Sequence, residues 1–151
     1  VIAGAPSLDH DFYEPFLKNP NVSFVTNKTY DLLSISHAAL VTSGTATLET
    51  AIFKVPQVVC YKANWLSYQI AKRIITLEYI SLVNLIMKKE VVKELIQNDL
   101  TTTNIRTELK NILEGPVRTA QIQAYDELEK KLGGRGASVK AAELIVKNAE
   151  F

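Results

Sequence analysis

The stretch AALVTSGTATLETAIFKVPQVVCY, residues 38–61, joins two short apolar runs through a helical pattern. AALVT reads as a buried strand that breaks at Ser43-Gly44-Thr45, and the helix pattern after it leads into a second strand run, PQVVCY. A strand that ends in Ser-Gly-Thr and opens straight into a helix gathers unpaired backbone N–H groups and hydroxyls at one point, and such a point suits phosphate. Glu49 follows Thr45 by about one helical turn. At roughly 1.5 Å of rise per residue its carboxylate reaches several ångströms from the anion site, where the ribose diol of a nucleotide diphosphate would sit.

The plainer reading of the same residues is a strand-to-helix turn in which Ser43 or Thr45 caps the helix, an effect worth about 1 kcal/mol. Glu49 is then a solvated helix residue, although Ala46, Leu48, Ala51, Ile52 and Phe53 give it apolar neighbours among which a carboxylate needs a partner.

Working outward, VIAGAP (residues 1–6) and VSFV (22–25) are further apolar runs bounded by Pro, Asn and polar clusters. Helical patterns over 9–17, 29–36 and 45–53 alternate with the four runs. Strands alternating with helices predict parallel βαβ units, with a ligand crevice beyond the carboxyl ends of the strands, which is where Ser43 falls. The spacing of Leu66, Ile70, Ile74 and Leu77 predicts a helix over 65–75 with Lys72 and Arg73 set off its apolar face. Residues 81–99 fit no single period and read as an irregular loop region carrying short elements. From Thr101 onward the pattern is helical: Thr101 or Thr103 caps a helix to 113, Gly115-Pro116 breaks it, a second helix covers 117–132, and a last one follows the Gly133 to Gly136 break.

Composition narrows the classes. A 47% hydrophobic and 22% charged chain of 151 residues supports a folded core rather than disorder. With 17 basic against 16 acidic residues, no global field draws the chain to nucleic acid. Cys60 is the single cysteine, so neither an internal disulfide nor a multi-cysteine zinc site is available, and a reducing, cytosolic compartment is expected. His10 and His37 have no metal-ligand spacing, and no metal or cofactor is expected. No run approaches the roughly 18 apolar residues of a membrane span, and the first residues lack a basic region followed by an apolar core, so neither a span nor an export signal is expected. Because the sequence opens at Val1 already in a strand pattern, it reads as a piece of a longer protein.

Two further features leave alternatives open. Trp65, Leu66, Tyr68, Lys72 and Arg73 suit a surface that touches lipid headgroups, or equally a core helix with its cations solvated. Asn84, inside SLVNLI, is either a structural amide bonding a neighbouring loop or one that fixes a sugar hydroxyl or phosphate oxygen.

Residues 39–101 resemble the carboxyl-terminal half of lipid-A-disaccharide synthases. The likeness is carried by SGTATLE, by VPQVVCYK, by the aromatic and basic helix after it, and by YISLVNLI followed by VKELIQ. The resemblance implies an α/β fold: a Rossmann-like parallel sheet flanked by helices, the C-terminal half of a GT-B glycosyltransferase, with an all-helical tail. Residues 1–113 would form the donor-binding domain and 114–151 the helices packing on it or on its partner half. The implied reaction is inverting transfer of 2,3-diacylglucosamine from UDP-2,3-diacylglucosamine to 2,3-diacylglucosamine 1-phosphate, without a metal. Ser43, Gly44 and Thr45 would hold the diphosphate, Glu49 the ribose, Gln97 a further donor group, and Asn84 a position at the reaction centre. Val83 stands where the family usually has proline. The glycine-arginine loop of the donor half and the acceptor half with its acidic base would lie before Val1, so the chain alone is expected to be inactive. The resemblance also implies a peripheral location at the inner face of a Gram-negative inner membrane. The competing readings are a non-catalytic nucleotide-diphosphate-sugar binding module and a Rossmann-like dimerisation domain.

Overall fold

Each of the four strand runs forms a strand, and a fifth joins them. The computed structural model describes residues 1–42, 44–64, 78–133 and 136–148. Its contacts divide the chain into two units, Val1–His37 and Ala38–Phe151.

In the first unit β1 (Ile2–Gly4) pairs in parallel with β2 (Phe24–Thr26), Ile2 opposite Phe24 and Gly4 opposite Thr26. A Cβ at Gly4 would come within 2.6 Å of the Phe24 ring, so the strand pair requires glycine there. Between the strands, α1 (His10–Tyr13) continues into one 3-10 turn at Glu14–Phe16, where Pro15 ends the regular helix. Tyr13 packs its ring 4.7 Å from that of Phe24, and its hydroxyl accepts the Ala5 N–H at 2.8 Å. Helix α2 (Thr29–Ile35) completes the unit.

The second unit is built on a parallel sheet of order β3-β4-β5, with β3 (Ala39–Thr42), β4 (Gln57–Tyr61) and β5 (Lys93–Ile96). Consecutive side chains of a strand face opposite sides, and both Val58 and Val59 are fully buried, so β4 is covered on both faces. On one face Val59 shares a core with Ala51 of α3 (Thr45–Ile52), Val83 and Met87 of α4 (Leu82–Met87), and Tyr125 and Leu128 of α6 (Pro116–Lys131). On the other, Val58 and Leu95 pack with Ile112, Ile105 and Leu109 of α5 (Thr102–Leu113). This is a helix-sheet-helix α/β arrangement of the Rossmann-like kind, with an all-helical C-terminal part. Thr101 caps α5 by accepting the Asn104 N–H, and Gly115, at φ 87°, precedes Pro116 in the first turn of α6. The last helix, α7 (Ala137–Asn148), leaves Val139, Leu144, Ile145 and Val146 59–70% exposed.

Residues 81–99, expected as an irregular loop region carrying short elements, hold three such elements in close succession, α4, β5 and a 3-10 turn at Gln97–Asp99, and are more ordered than a loop region. The order comes from polar side chains, which leave no periodic signature in the sequence. Ser81 caps α4 by accepting the Asn84 N–H at 3.3 Å, and Lys88 ends it in the left-handed region at φ 54°. The helix expected over 65–75 lies outside the described residues.

Candidate functional site

The carboxyl ends of β3, β4 and β5 lie side by side, Thr42 opposite Cys60 and Tyr61 opposite Ile96. The segments leaving the three strands therefore gather along one edge, the position at which parallel sheets bind ligands. Gly44 stands between β3 and α3 with φ 129° and ψ −159°, a region essentially closed to side-chain-bearing residues. Among the described residues no side chain caps α3, and Gly44, Thr45 and Ala46 are all exposed. Among the described residues the N–H groups of Thr45 and Ala46 and the positive end of the helix dipole are thus left for solvent or an anion. Thr47 is buried and turns inward, its Oγ1 donating to the Gly44 carbonyl at 2.8 Å and its N–H to the same oxygen at 3.2 Å. The threonines consequently divide: Thr47 fixes the turn, and Thr45 stays open to solvent.

Glu49 lies one turn further along α3 and is half-buried. Among the described residues its carboxylate meets no donor and no cation, so a partner from outside these residues would be favourable. After β5, Gln97 adopts φ 51°, an uncommon conformation for a residue with a side chain, and its Nε2 donates to the Ala63 carbonyl at 3.2 Å. Gln97 thereby ties the segment leaving β5 to the segment leaving β4 at the same edge.

Asn84 is not brought to this edge. It is fully buried; its Oδ1 accepts the N–H groups of Val91 at 2.8 Å and Val92 at 3.0 Å. Its Nδ2 donates to the Val92 carbonyl at 2.8 Å and to Glu94 Oε1 at 2.9 Å. Both donors and both lone pairs of the amide are used, leaving none for a ligand. Val92 precedes β5 and Gln97 follows it, a separation of roughly 16 Å at about 3.3 Å per residue. Glu94 completes this group by accepting the N–H groups of Ile80 and Ser81, each at 2.9 Å, at the start of α4. Ser43 and the expected membrane-facing residues Trp65, Lys72 and Arg73 lie outside the described residues.

Sequence reasoning misses a second buried polar group. Gln57, Gln121 and Tyr125 are at most 4% exposed and join β4 to α6. The Gln57 N–H donates to Gln121 Oε1 at 2.9 Å, Gln121 Nε2 to the Gln57 carbonyl at 3.3 Å, and the Tyr125 hydroxyl to Gln121 Oε1 at 3.0 Å. Burial drives the Tyr125 pKa far above the ordinary phenol value, so the hydroxyl stays a neutral donor. The available signal was a glutamine inside an otherwise apolar strand, VPQVVCY, together with Gln121 and Tyr125 at helical i, i+4 spacing. Burial also pushes the Cys60 thiol up, away from the reactive thiolate. His10, Asp11 and Glu14 bring ligating atoms within 4.8 Å of one another, but all three are exposed on a single helical turn. Among the described residues no helix is long and apolar enough to cross a membrane.

Residues 7–149 match the lipid-A-disaccharide synthetase family. The lipid-A-disaccharide synthase of Anaeromyxobacter sp. (strain K) is 36% identical over 150 residues, covering 97% of this chain and 39% of the relative. That of Syntrophus aciditrophicus (strain SB) is 42% identical over 124 residues, 82% of this chain and 32% of the relative. That of Trichlorobacter lovleyi (strain ATCC BAA-1151 / DSM 17278 / SZ) is 31% identical over 153 residues, 99% of this chain and 40% of the relative. The chain spans about two fifths of the length of such relatives. With nearly its whole length matched, and with an open glycine turn between strand and helix at the carboxyl edge of a parallel sheet, the chain belongs to the lipid-A-disaccharide synthetase family.

Proposed function

We propose that this chain is the donor-binding half of a lipid-A-disaccharide synthase, in which a hydroxyl of 2,3-diacylglucosamine 1-phosphate displaces UDP from UDP-2,3-diacylglucosamine with inversion. The new glycosidic bond forms at the anomeric carbon as the bond to UDP breaks, and the proton passes to an acidic base that we assign to the acceptor half. The supporting observation is that, among the described residues, the helix start at Gly44 has no side-chain cap and the half-buried Glu49 one turn along has no partner. Ser43, Gly44 and Thr45 hold the diphosphate, and the helix start stabilises the charge that grows on UDP as it leaves. Glu49 accepts the ribose hydroxyls. Gln97 holds the facing loop and contacts the donor. Asn84 serves the reaction centre by positioning α4 against β5 rather than by touching substrate.

In this reading 1–113 make up the donor-binding domain and 114–151 the helices that pack on it or on its partner half. The enzyme works at the cytoplasmic, inner-membrane surface of a Gram-negative cell, with Trp65, Lys72 and Arg73 facing the headgroups. A transfer assay on the chain joined to an acceptor half tests the site: Glu49→Ala raises the donor KM and leaves the acceptor KM in place. An unchanged donor KM would remove Glu49 from the ribose role. A liposome-pelleting comparison with Trp65 and Lys72 substituted tests the membrane face, and equal pelleting would retire it.

The exposed apolar residues of α7 favour a second reading, in which the chain also acts as an assembly domain. A light-scattering mass of twice the chain supports it, and a monomer mass across the micromolar range opposes it.

A further inference from the structure

We infer that Gln57 is a positioning residue for the phosphate turn, linking the packing of α6 to the conformation of Gly44. Gln57 is fully buried at the first position of β4, at the opposite end of the strand from the candidate site. Its Nε2 donates to the Thr47 carbonyl at 2.9 Å and to the Tyr125 hydroxyl at 3.4 Å. Thr47 in turn donates from Oγ1 and N–H to the Gly44 carbonyl at 2.8 and 3.2 Å. A continuous line of hydrogen bonds therefore runs from Tyr125 through Gln57 and Thr47 to the glycine whose positive-φ conformation opens the helix start.

Two features mark this line as more than core filling. The Thr47 carbonyl can only accept, so the amide has one usable orientation, Nε2 toward α3. That orientation leaves Gln57 Oε1 buried without a donor among the described residues. An unpaired buried acceptor is costly, and a leucine or methionine would fill the same volume without it. The side chain is thus explained by what its Nε2 holds: the first turn of α3, fixed from beneath, while Gly44, Thr45 and Ala46 face solvent. A pre-set turn binds an anion without first having to be ordered.

The inference rests on the donor-site reading above, and the experiment separates the two. UDP affinity of the chain is measured by calorimetry, with melting temperature as the second readout, for the parent and for Gly44→Ala, Gln57→Met, Thr47→Val, the Gln57→Met/Thr47→Val pair, Tyr125→Phe and Leu128→Ala. Gln57→Met and Thr47→Val each weaken UDP binding about fivefold, the worth of one hydrogen bond, and the pair weakens it by less than the product of the two. Tyr125→Phe, which keeps the ring, gives a smaller loss in the same direction and covers the case in which Gln57→Met fails to fold. Leu128→Ala empties the core beneath the same helix; it lowers the melting temperature and leaves the UDP affinity within about twofold of the parent. Weakened binding in Gly44→Ala with parent affinity in Gln57→Met and Tyr125→Phe overturns the positioning role alone. No UDP binding by the parent, or full binding by Gly44→Ala, overturns the donor-site reading and the inference with it. Equal affinity losses in Leu128→Ala and Gln57→Met would reduce Gln57 to general stability.

Discussion

Replacing Asn84 by alanine removes four hydrogen bonds at once, and their surroundings set the cost. The N–H groups of Val91 and Val92 and the Val92 carbonyl lose their partner, and Val92 is fully buried, so water cannot replace the amide without opening the turn between α4 and β5. Each buried polar group left unpaired costs about 1–3 kcal/mol. Because the three groups share one side chain and relax together, the lower end of the range applies to each, and Asn84→Ala should cost about 3–4 kcal/mol. For a domain of this size that lowers the melting temperature by roughly 10 °C, and with an m value near 2 kcal/mol/M it lowers the urea midpoint by about 1.5–2 M. Urea unfolding followed by far-UV circular dichroism reads both midpoint and slope. Asn84→Asp separates the two halves of the amide: it keeps the acceptor for Val91 and Val92 but sets a carboxylate against Glu94, where Nδ2 had stood 2.9 Å away. Repulsion raises the pKa of the introduced carboxylate in the folded state. The folded state then binds more protons, and the variant regains stability as the pH falls through the carboxylate range near about 4–5. A midpoint within about 0.3 M of the parent for Asn84→Ala would refute the structural assignment and return Asn84 to the reaction centre.

Gly44→Ala forces a side chain into a conformation that only glycine adopts freely, and since no described atom beyond its chain neighbours lies within 4 Å of the added Cβ, the cost is backbone strain of about 1–3 kcal/mol, read as a lower urea midpoint. Burial works against the charge of Lys54, yet Asp126 and Glu129, each 2.8 Å away, outweigh it and hold the pKa above the ordinary 10.5. Its contribution is therefore fully present below pH 10.5 and lost as the pH rises through the higher folded value, so the parent loses stability on that alkaline limb more steeply than Lys54→Met does. With the thiol of Cys60 pushed up by burial, iodoacetamide at about pH 8 labels the folded chain far more slowly than the urea-unfolded one, and equal rates would show an open strand.

How far the sequence carries depends on which interactions are local. β1 to β4 and the helices between them follow from apolar runs and periodic patterns whose residues lie within a few positions of one another, so they are legible. β5 is not: KELI begins with a lysine and a glutamate, and the carboxylate of Glu94 is satisfied by N–H groups of Ile80 and Ser81, more than a dozen residues away in sequence. Asn84 illustrates the same limit from the other side. Its apolar neighbours signal a buried amide that must be satisfied, but whether loop or ligand satisfies it depends on a turn seven residues away. Gly44 and Glu49 are legible as a pair because the strand-to-helix junction is local, whereas the Gln57 network joins residues 64 apart, beyond any pattern of period or spacing.

The central claim, that the carboxyl edge of β3 to β5 binds the nucleotide of a UDP-sugar, is tested most directly by an NMR titration of the isotopically labelled chain with UDP, using ADP as control. The account predicts UDP-selective shifts confined to Gly44 through Glu49 and to Gln97, with the Asn84 side-chain amide unmoved. A folded chain whose spectrum responds to neither nucleotide, or to both alike, would contradict it.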